Sequence, residues 1–251
     1  MVQAKNSQIQ LRRMLIAALF VALAYVSRFV FHFNVAFLTF ECKDAFLTVG
    51  GMFLGPLWAL GMSAATALLE FITISDTGWY GLLMNVAAAV AFSCVASLVY
   101  RFRRTLGGAI GGLAAGVVAL VGVMLPLNLL VTPAYMGVAV SEVVALLPKL
   151  LLPFNLLKGI LNMAVVLLLY KPLTRALRAA HLADGIVEMP AAPVRESDSV
   201  EKPQEHKRWR YRFLTPLLGA ALLVAALLVF FLVLHGESDR RKINRKSVRS
   251  L

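Results

Sequence analysis

Asn155, Lys158 and Asn162 stand at positions i, i+3 and i+7 of an otherwise apolar run, Leu150 to Tyr170. Helical spacing puts all three on one face. A lysine deep in a membrane helix costs roughly 2.5 to 3.5 kcal/mol to insert, so such a residue is a functional candidate by default. Asparagine amides offer paired donors and acceptors, and an ammonium group offers donors only. Together they suit a planar imide or amide edge and a carbonyl or hydroxyl on a polar small molecule. The alternative is that Lys158 snorkels to the interface while the asparagines join helices to one another. Pro153 fits the first turn of this helix, where a missing N–H does no harm.

Three more polar residues lie at corresponding depths. Asn128 ends the fifth expected helix, Asn85 begins the fourth, and Glu70 lies near the end of the third. In an up-and-down bundle these fall in the same half of the membrane as Asn155 and Lys158, and their convergence outlines a pocket. Helix packing is the competing explanation for Asn85 and Glu70.

The elements that must hold these residues follow from composition. The 251 residues are 60% hydrophobic and 15% charged, with mean hydropathy +0.78. Soluble chains carry about 25% charge, so this is an integral membrane protein with no room for a large soluble catalytic domain. Apolar runs cover Met14 to Phe31, Ala45 to Ile74, Tyr80 to Tyr100, Leu106 to Val131, Leu150 to Tyr170 and Phe213 to Leu234. The second is too long for one ordinary helix, and Gly55-Pro56 divides it into two, the first of them short. The expected architecture is all-α. A six-helix membrane domain spans residues 1–178, a polar linker 179–212, a seventh transmembrane helix 213–235 and a basic tail 236–251. The first run lacks a small-residue cleavage site before Arg28, so it is expected to remain as a helix.

The net charge of +12 is read as topological and implies no nucleic-acid partner. A cytoplasmic N-terminus places Lys5, Arg12, Arg13, Arg101, Arg103, Arg104, Lys171, Arg175 and Arg178 inside. Arg28, Lys43 and Lys149 are left outside, together with the acidic loop residues Glu41, Asp44, Asp76 and Glu142. Six basic residues after the seventh helix leave its direction open and would favour anionic lipid.

Other classes of chemistry find little support. No phosphate-binding loop, HExxH or GxSxG occurs, and the four histidines lie at or beyond helix ends. Cys42 and Cys94 form no ligand cluster. Catalysis is not expected, and no metal is. Trp79, Tyr80, Trp209 and Tyr211 fit an aromatic belt. Small residues recur at four-residue spacing: Ala18/Ala22 on the first helix, and Gly107/Gly111, Gly108/Gly112 and Gly112/Gly116 on the fifth. The glycines point to internal packing, and the alanines could meet a partner.

The run Pro153-Phe154-Asn155-Leu156-Leu157-Lys158-Gly159 closely resembles the sixth-helix signature of riboflavin-specific substrate-binding (S) components of energy-coupling factor (ECF) vitamin transporters. Phe40-Glu41-Cys42-Lys43-Asp44, Gly55-Pro56, Ser75 to Tyr80 with Asn85, and Leu127-Asn128 before Thr132-Pro133-Ala134-Tyr135 agree in order, over residues 10 to 178. The resemblance implies a six-helix S-component fold with a pocket open to the outside. It implies polar contacts from Asn128, Asn155 and Lys158 to riboflavin, with first-loop residues near Phe40 and Glu41 closing over it. Ala18 and Ala22 would face a transmembrane coupling subunit driven by two ABC-type ATPases. Riboflavin would be transported cargo, and no cofactor is implied. FMN and roseoflavin-like analogues stay open as ligands. An S component for another small molecule, an ion-coupled secondary carrier or a seven-helix receptor-like protein are the competing readings.

Overall fold

The computed structural model describes residues 2–35 and 38–179. The linker, the seventh helix and the basic tail expected after them lie outside the described residues. Helix α1 (Val2–Val30) leads into a short antiparallel hairpin, β1 (His32–Val35) and β2 (Leu38–Glu41). There follow α2 (Lys43–Leu54), α3 (Pro56–Thr73), α4 (Gly78–Phe102), α5 (Leu106–Met136), the short α6 (Val140–Leu146), a π-helical turn at Leu147–Leu151, and α7 (Leu152–Ala179).

Five helical segments are long and apolar enough to cross a membrane: Ser7–Val30, Pro56–Thr73, Gly78–Phe102, Leu106–Met136 and Val140–Ala176. The chain is therefore a multi-pass membrane protein. Helix α2 is different in kind. Its 12 residues rise only about 18 Å, well short of a hydrocarbon core of about 30 Å. It sits inside the bundle, packed against α1, α3, α4 and α7, and ten of its residues are buried. Such close approach depends on Gly51, where a Cβ would lie 2.6 Å from the Ala59 Cβ and 2.3 Å from the Ser97 hydroxyl. The break between α2 and α3 falls at Gly55-Pro56, as the sequence indicates. Gly55 has φ 108°, a conformation that glycine alone adopts without strain, and Pro56 opens α3, where its missing N–H is harmless.

Three local features depart from the expected plan. The hairpin, in register His32↔Glu41 through Val35↔Leu38, is an addition to an otherwise helical fold; four-residue strands are too short for alternation to reveal them. Helix α5 continues past Asn128 to Met136, passing through Pro126 and Pro133. Membrane bundles tolerate such prolines because neighbouring groups satisfy the freed backbone, and it is Gly137, at φ 66°, that ends the helix. The last described helix does not begin afresh near Leu150 but is entered through α6 and the π turn, where the Leu152 N–H donates to the Leu147 carbonyl. A proline ring clashes with the carbonyl four residues earlier, and a widened turn just ahead of Pro153 makes room for it.

The core is apolar and centred on Phe20, Leu47, Phe92, Leu113 and Leu120, all fully buried. Helices α4 and α5 meet at Gly112 and Gly116, where a Cβ would lie 2.7 Å from the Ala96 carbonyl and 2.8 Å from that of Phe92. These glycines serve internal packing.

Candidate substrate-binding site

The C-terminal ends of α1, α3 and α5 and the N-terminal ends of α4 and α7 gather at one end of the bundle, beside the hairpin. There they line a half-open cavity of about 470 Å³, within the range that accommodates drug-sized ligands. Its apolar wall includes Leu38, Ile74, Met84, Ala88, Met124 and Val131, with rings from Tyr80, Tyr135 and Phe154. Tyr80 and Tyr135 meet edge to face at 6.1 Å. Tyr80 thus lines the cavity, a role added to the belt position expected of it.

Polar groups enter this wall from five helices, Arg28 of α1 among them. Asn128 and Asn155 are buried and each spends one amide N–H on the carbonyl one turn back, Met124 at 2.7 Å and Leu151 at 2.8 Å. Thr132 donates to the Asn128 Oδ1 at 3.0 Å, which fixes the amide plane. An asparagine amide has two N–H donors, so each side chain is oriented by one and retains a second. Asn85 donates to Glu70 Oε2 at 3.3 Å, and both residues line the cavity. Lys158 lines it too, one turn along α7 from Asn155. Asn162, the third member of the stripe, does not. Its amide donates to the carbonyls of Lys158 at 3.0 Å and Glu41 at 3.4 Å, joining α7 to the hairpin.

Behind the wall lies a cluster of ion pairs. Glu41 accepts from Arg28 at 2.5 Å through Oε2, and through Oε1 pairs with Lys43 at 2.9 Å and Lys158 at 3.4 Å. Lys43 also pairs with Glu70, and Lys158 lies 3.7 Å from Asp44. Three carboxylates and three cations thus balance in a cluster of which only Arg28 is more than slightly exposed, as buried charges require. Burial alone would push the Glu41 carboxyl up. The attraction of Lys43, Lys158 and Arg28 outweighs it and holds the group at about 2.

Asn128, Asn155, Lys158, Asn85 and Glu70 are therefore brought together on one cavity. Phe40 and Glu41 are not among its lining residues. Phe40 is buried against Phe154, their rings 6.4 Å apart and edge to face, and Glu41 lies behind Arg28 and Lys158. Ala18 and Ala22 are exposed along the middle of the membrane-spanning part of α1, with Leu11, Leu15 and Val26 on the same side. Two expectations need correction. Glu41 and Asp44 are not outward-facing loop acids, and Lys43 is not a simple topological charge, because all three are at most 1% exposed. The signal for this was α2 itself: a helix too short to span begins below the membrane surface, so charges at its start must be buried and paired. Tyr80, Tyr135 and Phe154 also line the cavity without having been singled out for it.

A membrane bundle with a half-open cavity at one end and converging amide and ammonium groups defines a small-molecule-binding membrane protein. The comparisons with known proteins agree. The family model described as the substrate-specific component of ECF transporters matches residues 12–170. A chain solved in work titled "Structure and mechanism of the S component of a bacterial ECF transporter" superposes with TM-score 0.58 at 26% identity, over 67% of this chain and 99% of that one. Among curated proteins no relative is found. The chain belongs to the ECF transporter substrate-specific component family. It is a substrate-binding membrane subunit of a transporter, and such S components are not enzymes.

Proposed function

We propose that this chain captures riboflavin at the outer face of the cytoplasmic membrane, with its N-terminus inside, and that a transmembrane coupling subunit driven by two ABC ATPases reorients it to release the vitamin inward. The observation that carries this reading is the meeting of Asn128, Asn155 and Lys158 on one cavity with apolar and aromatic walls. An isoalloxazine ring needs flat apolar surfaces and donors at its carbonyl edge, and the ribityl chain needs further hydrogen-bonding groups. The match of Pro153 to Gly159 to the flavin-type signature supports the same choice. The exposed Ala18/Ala22 face of α1 would allow a coupling helix to approach closely.

Titration of the purified chain with riboflavin, followed by quenching of flavin fluorescence, tests the assignment. Lys158→Ala and Asn155→Ala should each weaken binding by about tenfold or more, the size of a lost charge-assisted or buried hydrogen bond. Folded protein that binds no flavin would overturn it. Uptake that depends on an ion gradient instead of the ATPase subunits would favour a secondary carrier.

A further inference from the structure

Every cation on the cavity wall is already matched by a hidden carboxylate, and a single residue does most of the matching. Arg28 and Lys158 both line the cavity, and both reach back to Glu41, which is 1% exposed and does not line it. Arg28 takes one carboxylate oxygen at 2.5 Å. Lys158 shares the other at 3.4 Å with Lys43 at 2.9 Å. Lys43 in turn holds Glu70, the acid on the wall. Asp76, exposed on the wall, adds negative charge.

A bound anion needs a cation with charge to spare, because moving it from water into a half-open, partly apolar site costs free energy unless it is paired there. Here an anionic group would have to compete with Glu41 for Arg28 and Lys158. A neutral polar group needs only their remaining N–H donors, which the ion pairs leave free.

We infer that Glu41, without touching the ligand, sets the charge selectivity of the site by holding Arg28 and Lys158, so that the cavity takes an uncharged polar ligand and turns away its phosphate ester. The inference rests on the reading of the cavity as a flavin site. It makes Glu41 a specificity residue acting through two others.

Riboflavin and FMN differ by one phosphate and serve as the probe pair, titrated separately against the purified full-length chain. In the wild-type protein FMN should bind about tenfold or more weakly than riboflavin. In Glu41→Gln the ratio should shift toward FMN by about tenfold, since Arg28 loses its carboxylate and Lys158 the nearer of its two, Asp44 standing at 3.7 Å, and both can turn to the phosphate. Adding Arg28→Gln to that variant should reverse much of the shift, and Glu41→Asp, which keeps the charge, should keep a preference for riboflavin. A structural loss would weaken both flavins together and leave their ratio unmoved. That result, or wild-type protein that binds FMN as tightly as riboflavin, overturns the inference while leaving the flavin site standing. The wild-type comparison can still overturn the inference even if Glu41→Gln fails to fold. If folded wild-type protein binds neither flavin, the proposed function falls and this inference with it.

Discussion

The side chain of Asn162 on α7 accepts a hydrogen bond from the backbone N–H of Ala45 on α2 at 3.0 Å. The first turn of a helix has no partners of its own for such groups, so a residue near the middle of α7 caps the start of α2. Asn162 is 1% exposed, and its replacement by alanine removes the closer of the two acceptors of the Ala45 N–H, the other being the Cys42 carbonyl at 3.2 Å, together with the link to the Glu41 carbonyl. We expect Asn162→Ala to lower stability by about 1 to 3 kcal/mol, read as an earlier thermal midpoint in detergent. Riboflavin affinity should fall less than in Lys158→Ala, since Asn162 stands off the cavity.

The two buried lysines should separate in the opposite sense. Lys43 pairs closely with Glu41 and Glu70, whereas Lys158 is held at 3.4 and 3.7 Å and opens onto the cavity. Removing one partner from a buried ion pair costs about 3 to 5 kcal/mol. Lys43→Met should therefore reduce the yield of folded protein and its melting temperature more than Lys158→Met does. Size-exclusion profiles and melting curves of the two variants, compared side by side, provide the check.

Glu41 also sets an acid limit. Its carboxyl is held at about 2, against an ordinary 4.5, so the folded state binds the proton less readily than the unfolded one. The stabilisation this gives is complete above pH 4.5 and is lost as pH falls through the folded value near 2. Arg28, Lys43 and Lys158 face the group, and Asp44 and Glu70 stand beside it. The melting temperature should show a downward leg below pH 4.5, and that leg should be absent in Glu41→Gln.

The α4–α5 contact offers a test of packing alone. A Cβ at Gly112 would lie 2.7 Å from the Ala96 carbonyl, whereas at Gly111 nothing stands within 4 Å. Gly112→Leu should destabilise by about 1 to 3 kcal/mol through overpacking, and Gly111→Leu should be tolerated. Thermal unfolding of the pair is sufficient.

The docking of a coupling subunit on Ala18 and Ala22 proposed above has its own test. Replacing either with tryptophan should lower ATP-dependent riboflavin uptake in cells that carry the coupling subunits. Riboflavin binding to the purified variant should stay within about twofold of wild type, because surface substitutions away from special features usually change stability little.

Much of this arrangement was legible in the residues. The long apolar runs fixed the helices, Gly55-Pro56 marked the break between α2 and α3, and the spacing of Asn155, Lys158 and Asn162 placed them on one face. What could not be read was pairing across distance. Glu41 and Lys158 are 117 positions apart, and no periodicity joins a residue on a hairpin to one on α7. Asn162 looked like a neighbour of Lys158 in function, because its spacing reports a face and not what that face meets. The hairpin and π turn escaped for a different reason. Each spans only four or five residues, fewer than any pattern of apolar spacing needs to declare itself.

The shortness of α2 bears on how the protein is made. A segment of 12 residues that begins with Lys43 and Asp44 is a poor candidate to enter the bilayer alone, so it must be carried in by its neighbours. Even then the cluster is incomplete during synthesis: Arg28 and Lys43 stand against Glu41, Asp44 and Glu70, one acid in excess, until Lys158 arrives on the last described helix. Completion of α7 both balances the charge and, through Asn162, caps α2. The same helix that furnishes the cavity thus closes the assembly, and a chain halted before it would hold an unmatched acid in the membrane for quality control to find.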